Sequence, residues 1–327
     1  MATKLNIFLT KTRRWFLQVN SNHAVGFSST CLLFFCATLA SAQPIDLVEI
    51  EKNTWYSKGA LDDFNPKNEG NIANIGVIKT SDGVVIIDTG SSKKIGEALR
   101  DAVAKKTNSS VNMVFNTHFH PDHVFGNSVF GTKRIFAHQN TISALKVNGE
   151  GFLENLFRMV GNPMKDSKLS LPKNTISEET TFTLGRNIIR AIPLSGHSSA
   201  DLAIFDETTG VLFAGDLVFF DRAPATPHAD LNKWLDALDY LESLPFKVLV
   251  PGHGPAMKNS QGIEQTRSWI TWIQDTFSDS AKKGLGINEV LRVKIPEEFS
   301  RMKLARSEYH RSVIHVYPTL EKQSLWQ

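Results

Sequence analysis

An α/β layered sandwich is the fold this sequence predicts, and three observations predict it. Two strand-rich stretches, each closed by helices, follow one another between about residues 72 and 250. Several of the strands end in turn residues that carry His or Asp, above all His118-Phe119-His120-Pro121-Asp122-His123 directly behind a strand. The composition of the 327 residues, 41% hydrophobic and 21% charged, is that of a globular chain, which excludes a disordered, collagen-like or multi-span membrane protein.

Residues 1–42 have the three parts of an export leader. A basic stretch around Arg13 and Arg14 precedes an apolar run from Ala24 to Leu39, and Ala40-Ser41-Ala42 forms a small-residue cleavage site. The run contains Ser28, Ser29 and Thr30 and falls short of the ~20 strongly apolar residues a span needs. Cleavage near Ala42 and a periplasmic or secreted mature chain are therefore expected, with an uncleaved anchor as the alternative. Thr12-Arg13-Arg14-Trp15-Phe16-Leu17-Gln18 resembles the twin-arginine signal, which exports proteins already folded. The leader holds Lys4, Lys11, Arg13 and Arg14 and no Asp or Glu; taking these four from 36 Lys+Arg leaves 32 against 33 Asp+Glu, a net of −1 for residues 43–327. With no basic run to track phosphates, a nucleic-acid partner is not expected. Both cysteines, Cys31 and Cys36, lie in the leader, and neither follows a lipoprotein tripeptide, so neither a disulfide nor a stable membrane anchor is expected. Any metal site must be built from His and carboxylates.

Past the leader, Ile72–Val77 and Val84–Asp88 read as two β-runs around the turn residues Ser81, Asp82 and Gly83, a hairpin ending in Asp88-Thr89-Gly90. Ile95, Ala98, Leu99 and Val103 have helical spacing within 91–105, and Val111–Asn116 returns to strand character. From 141 to 160 the apolar residues fit helices broken at Gly149 and Gly151, and a polar loop without strand signal follows to Ser177. The second half repeats the order with strands at Thr181–Leu184, Ile188–Pro193, Leu202–Asp206 and Val211–Gly215, a helix around Asn232–Leu244 and a strand at Lys247–Val250. The two halves predict one domain over 43–258 with a helical insertion at 141–176. Residues 259–327 read as a helical extension whose Ile263, Trp269, Ile270, Ile273 and Phe277 pack on that domain.

Three His and one Asp within six residues form the most specific chemical signal. Period-2 spacing puts His118 and His120 on one side of an extended segment, where two imidazoles can meet one cation. Pro121 suits the first turn of a helix that presents Asp122 and His123 toward a neighbouring position. Four ligands from six residues suggest two metals. His-x-His-x-Asp-His is the signature of the metallo-β-lactamase superfamily, and the chain resembles that family in four further motifs, in order: Asp88-Thr89-Gly90, Ser195-Gly196-His197-Ser198, Ala214-Gly215-Asp216 and Pro251-Gly252-His253-Gly254-Pro255. The likeness covers about residues 70–256 and implies an αβ/βα four-layer sandwich with metals at one edge.

Carried over position by position, the resemblance implies that His118, His120 and His197 hold one Zn(II), that Asp122, His123 and His253 hold a second, and that Asp216 bridges them, with Asp88 supporting the ligands from behind. Two zinc ions ~3.5–4 Å apart can share a water of pKa ~7, whose hydroxide is a nucleophile. Asp122 and Asp216 are the candidate catalytic carboxylates, and the net positive centre fits an anionic or acyl small-molecule substrate. In this superfamily a bridging Asp is typical of thioesterases and phosphodiesterases, whereas lactam-cleaving enzymes usually carry Cys or Ser there. The implied activity is hydrolysis of an ester, thioester, lactone or related bond. Alternatives are β-lactamase-type amide hydrolysis, a sulfur dioxygenase with one iron on His118, His120 and Asp216, and a quinoprotein-associated factor without turnover.

Outside the metal motifs, Asn127, Leu217-Val218-Phe219-Phe220-Asp221-Arg222-Ala223-Pro224 and His315-Val316-Tyr317-Pro318 resemble the quinoprotein relay system zinc metallohydrolases, related to SoxH-type proteins. That likeness implies a periplasmic setting and association with a quinoprotein dehydrogenase. Arg222 is a candidate for binding an anionic substrate group, although an Arg after a strand more often lies at the surface. Phe152, Phe157 and Met159 fit either a lid or simple helix packing. His138, His228, His310 and His315 are left over and are not expected to be metal ligands.

Overall fold

The computed structural model describes residues 44–324, so the predicted leader, with Arg13, Arg14, Cys31 and Cys36, lies outside the described residues. The first half contains β1 (Val48–Glu51), β2 (Thr54–Ser57), β3 (Ile75–Thr80), β4 (Gly83–Ile87), α1 (Lys93–Thr107), β5 (Val111–Phe115), α2 (Pro121–Val124), β6 (Ile135–His138), α3 (Gln139–Val160) and β7 (Asn174–Ile176). The second contains β8 (Thr180–Leu184), β9 (Asn187–Leu194), β10 (Asp201–Asp206), β11 (Val211–Phe219), α4 (Leu231–Ser243) and β12 (Val248–His253). After these come α5 (Gln261–Lys282), α6 (Ile287–Val290), α7 (Glu297–Ser300), α8 (Ala305–His315) and α9 (Tyr317–Ser324).

Strands β1 to β7 form one sheet in sequence order, antiparallel through β4 and parallel from β4 to β7. The second sheet has the order β12-β11-β10-β9-β8, with β12 parallel to β11 and the other pairs antiparallel. Alternation along each strand sorts the apolar side chains into three layers. Val85 and Ile87 of β4 meet Ile204 of β10 and Phe213 of β11 between the sheets. Val84 and Ile86 turn the other way, onto Ile95, Leu99 and Val103 of α1. Leu212 and Ala214 of β11 face Trp234 and Leu238 of α4 together with Ile263, Trp269, Ile270, Ile273 and Phe277 of α5. The helix-sheet-sheet-helix order follows, and the extension packs on the second sheet through the face that the sequence pattern predicts. Among the described residues no helix is long and apolar enough to cross a membrane.

Four local expectations need correction. Residues 72–74 leave the first β-run because Asn74 is used elsewhere: it accepts the Gly59 N–H at 3.0 Å and donates to the Pro251 and Gly254 carbonyls at 2.8 and 2.7 Å, tying this segment to the end of β12. Strands β1 and β2 were not predicted from the sequence. Helix α3 runs unbroken through Gly149 and Gly151. A Cβ at Gly149 would lie 2.7 Å from Leu169, so this glycine admits a packed neighbour rather than ending the helix. The loop after α3 contains β7, a three-residue strand that pairs with β6 and is too short to leave a sequence pattern.

Candidate metal centre

The motif residues sit at or just past strand ends, except Asp216, which lies within β11. Behind β4, Asp88 takes φ 62°, a left-handed conformation that Asp tolerates better than most residues, and its carboxylate turns under the end of β5. It accepts the Thr117 N–H at 2.8 Å, the Thr117 hydroxyl at 2.7 Å and His123 Nδ1–H at 2.7 Å. Since a carboxylate only accepts, His123 Nδ1 carries a proton, and Nε2 is the atom turned toward the other ligands. The Thr117 hydroxyl proton is spent on Asp88, so His118 Nδ1–H donates to Thr117 Oγ1 at 3.0 Å and His118 Nε2 is bare. One carboxylate thus fixes the orientation and tautomer of two histidines. Asn127 joins the same corner, accepting the Thr89 hydroxyl at 2.9 Å and exchanging hydrogen bonds with Asn116.

Backbone carbonyls orient two more rings. His197 Nδ1–H donates to Ala225 O at 3.0 Å, and His253 Nδ1–H to Ile72 O at 2.8 Å. His120 is reversed: its Nε2 faces Nδ1 of the exposed His228 at 2.8 Å, while its Nδ1 lies 3.0 Å from His118 Nε2 and 2.8 Å from His197 Nε2. Three ring nitrogens converge there, at spacings near the ~3.3 Å that two nitrogens on one tetrahedral zinc keep.

Asp216 enters from β11 at a point where the pairing with β12 slips on both sides of Gly215. Gly215 has φ 53°, and a Cβ at Gly252 would fall 2.0 Å from Asp216 Oδ1, so only glycine lets the carboxylate lie here. Its Oδ2 is 3.3 Å from Nε2 of both His197 and His253 and 3.7 Å from His118 Nε2, and its Oδ1 is 3.2 Å from His123 Nε2. Asp122 Oδ2 completes the second group, 3.3 Å from His253 Nε2 and 3.6 Å from His123 Nε2. The ligand atoms fall into two sets, each within 4.8 Å: His118, His120, His197 and Asp216, then Asp122, His123 and His253. His123 Nε2 and Asp216 Oδ1 are buried with no hydrogen-bond partner, an arrangement that an added cation resolves. The donor set fits two divalent ions.

The two sets differ in charge state. Burial, then the neighbouring His123, holds His118 well below the usual imidazole range; burial and His197 do the same to His120; and burial brings His197 down to about 4. At His123 burial also lowers the pKa, but Asp216, Asp122 and Asp88 outweigh it and raise it well above 6.5. His253 is raised as well, with burial and Arg222 opposed by Asp216 and Asp122. Asp122 is lowered, since His123 and His253 overcome the effect of burial.

Seven ligand positions predicted from the sequence therefore converge, with Asp88 behind them. Arg222 is not the solvated side chain its position suggests: it is 4% exposed, with Nη1 at 2.6 Å from His253 Nδ1 and 3.3 Å from His253 Nε2. Because His253 Nδ1 gives its proton to Ile72, the shorter contact is a close approach of two donors. Phe152 stacks on Phe119 at a ring distance of 6.0 Å, and Phe119 lies 5.1 Å from His228. Phe157 and Met159 are exposed. His228 was not expected to be a ligand and is in neither ligand set, but it faces one; no sequence spacing links it to His120, 108 residues away.

The metallo-beta-lactamase superfamily model matches residues 69–253. A linear primary-alkylsulfatase of Pseudomonas sp. is 21% identical over 280 residues, which is 73% of this chain and 53% of that protein. A type 2 metallo-beta-lactamase of Bacillus sp. is 24% identical, covering 64% of this chain and 76% of the relative, and a hydroxyacylglutathione hydrolase of Erythrobacter litoralis is 26% identical, covering 49% and 53%. The chain thus spans about half the length of the alkylsulfatase and of the hydroxyacylglutathione hydrolase. Among solved structures, a metallo-beta-lactamase from Pontibacter korlensis superposes with a TM-score of 0.55 at 22% identity, over 69% of this chain and 99% of that one.

Proposed function

We infer, from the premise that this chain belongs to the metallo-beta-lactamase superfamily, that it is a dizinc hydrolase cleaving an ester, thioester, lactone or related bond in an anionic or acyl small molecule. The observation that carries the reading is Asp216, whose two oxygens reach 3.2–3.3 Å from nitrogens of both ligand sets. When bound, two zinc ions supply an acidified water and a Lewis acid for the oxygen of the scissile bond. Asp216 ties the two ligand sets into one centre and lowers its positive charge. Asp122, the more exposed of the two carboxylates at 7%, would help to hold the second ion and would hand on the proton that the water gives up. Phe119, Phe152 and His228 form a wall beside His120 that orients the organic part of the substrate.

Asp rather than Cys or Ser at position 216 favours ester and thioester chemistry over lactam cleavage. Relatives named as an atrochrysone carboxyl ACP thioesterase of Aspergillus fumigatus and a hydroxyacylglutathione hydrolase support the same preference. A complete second ligand set favours two zinc ions over a single iron. Export rests on the leader, and the quinoprotein association on the 217–224 and 315–318 stretches. The test is a panel of thioesters, lactones, phosphodiesters, alkyl sulfates and β-lactams offered to the zinc-loaded protein. Turnover of an ester or thioester that chelation abolishes and zinc restores is expected. Iron in place of zinc, or β-lactams as the best substrates, would overturn the reading.

A further inference from the structure

The loop after β11 touches three ligand histidines: Ala225 O accepts from His197, His228 faces His120, and Arg222 lies against His253. What holds this irregular segment is the C-terminal extension. Ala223 N–H donates to Lys303 O and Lys303 N–H to Asp221 O, both at 2.9 Å; Gln265 of α5 accepts the Asp221 N–H at 2.8 Å. The Thr226 hydroxyl donates to Ser312 of α8 at 2.7 Å, and the Ser312 hydroxyl donates to the Glu308 carbonyl at 2.8 Å. Behind Arg222 stands the Glu308 side chain itself, 0% exposed, with Oε1 3.9 Å from Arg222 Nη2. Glu308 also accepts from Arg311 at 3.2 Å, and Arg311 reaches Asp63 at 2.6 Å.

Neither buried group is used up by these contacts. Arg222 Nε has no hydrogen-bond partner, nor has Glu308 Oε2. A buried guanidinium with a free Nε–H is costly unless something accepts from it, and its planar fork matches an oxyanion in a way a Lys ammonium does not. Beside His253, Arg222 also stands close to where the second cation is held, and the like charges repel. Glu308 supplies the opposing charge that keeps it there.

We propose that Glu308 is a positioning residue that holds the Arg222 guanidinium at the His253 edge of the metal centre as the receptor for an oxyanion group of the substrate, a carboxylate or a sulfate. Helix α8 is then part of substrate recognition. This rests on the hydrolase reading, and it names the feature of the substrate that reading leaves open.

The experiment measures zinc content and the Kd of inorganic sulfate, by calorimetry, on the zinc-loaded full chain and its variants. Glu308→Gln should keep both zinc ions, weaken sulfate binding about ten-fold or more, as losses of a supporting partner do, and raise KM for anionic substrates with kcat nearly kept. Glu308→Asp should restore most of the binding, Arg222→Gln should lose it, and the Glu308→Gln, Arg222→Gln double variant should be no weaker than Arg222→Gln. If Glu308→Gln fails to fold, Glu308→Asp and Arg222→Lys decide, with most of the binding kept in the first and nearly all of it lost in the second. Wild-type sulfate affinity in Arg222→Gln, or in folded Glu308→Gln, overturns the proposal. Fewer than two zinc ions in the wild type counts against the dizinc reading alone, because the sulfate series still decides on Arg222 and Glu308.

Discussion

The two ligand sets draw on the same residue types in opposite surroundings. His118 and His197 lean on neutral groups, the Thr117 hydroxyl and the Ala225 carbonyl, and burial above all keeps both rings uncharged. His123 leans on a carboxylate, Asp88, and both His123 and His253 sit among carboxylates that favour the protonated ring. One set is a ready array of lone pairs. The other must shed protons before it can hold a cation, and it has the Arg222 charge beside it. Equal geometry therefore does not mean equal affinity, and the second set should exchange its metal first.

The largest break comes from the residue the sets share. Asp216→Asn keeps the shape and removes the charge that faces both, so turnover should fall ~100-fold or more, on the scale of losing an electrostatic element in a catalytic site, with metal content dropping toward one per chain. Steady-state rates and elemental analysis check this together. Asp88→Asn comes next, with a loss of ~10–100-fold in metal affinity. The effect should be greater in the second set, because Asp88 touches His123 directly and His118 only through Thr117; competitive chelator titration resolves the two steps.

Acidification sharpens the contrast without mutation. Metal binding requires bare nitrogens, so affinity falls as pH drops below a ligand's pKa in the metal-free protein. His123 and His253 have raised values and His197 one of about 4. Dialysis at pH 5 should leave about one metal per chain and dialysis at pH 8 two; simultaneous loss of both would contradict the asymmetry. The smallest effect is expected at Phe157, exposed on α3. Phe157→Ser should change stability by no more than ~0.5 kcal/mol and spare the activity, read by denaturant unfolding and the same rate assay.

How much of this was legible beforehand depends on the range of the contact. His118, His120, Asp122 and His123 form one local word, and the motifs at 88, 197, 216 and 253 are short phrases around glycine, so the ligand set stood in the sequence. The strands of the central layers were legible because Val84 to Ile87 and Val211 to Ala214 alternate between two apolar layers and leave no polar face. Gly149 misled, since a glycine that admits Leu169 looks the same in sequence as one that ends a helix. The burial of Arg222 could not be read either: what covers it is Glu308, 86 positions later, on a helix whose own pattern says nothing of a metal centre.

Metal stoichiometry is the most direct test of two sets joined through Asp216. Elemental analysis of the purified wild type should give two ions per chain, and His118→Ala and His253→Ala should each retain about one, held by the set that was left intact. Two ions retained in both variants, or none in the wild type, would contradict the account.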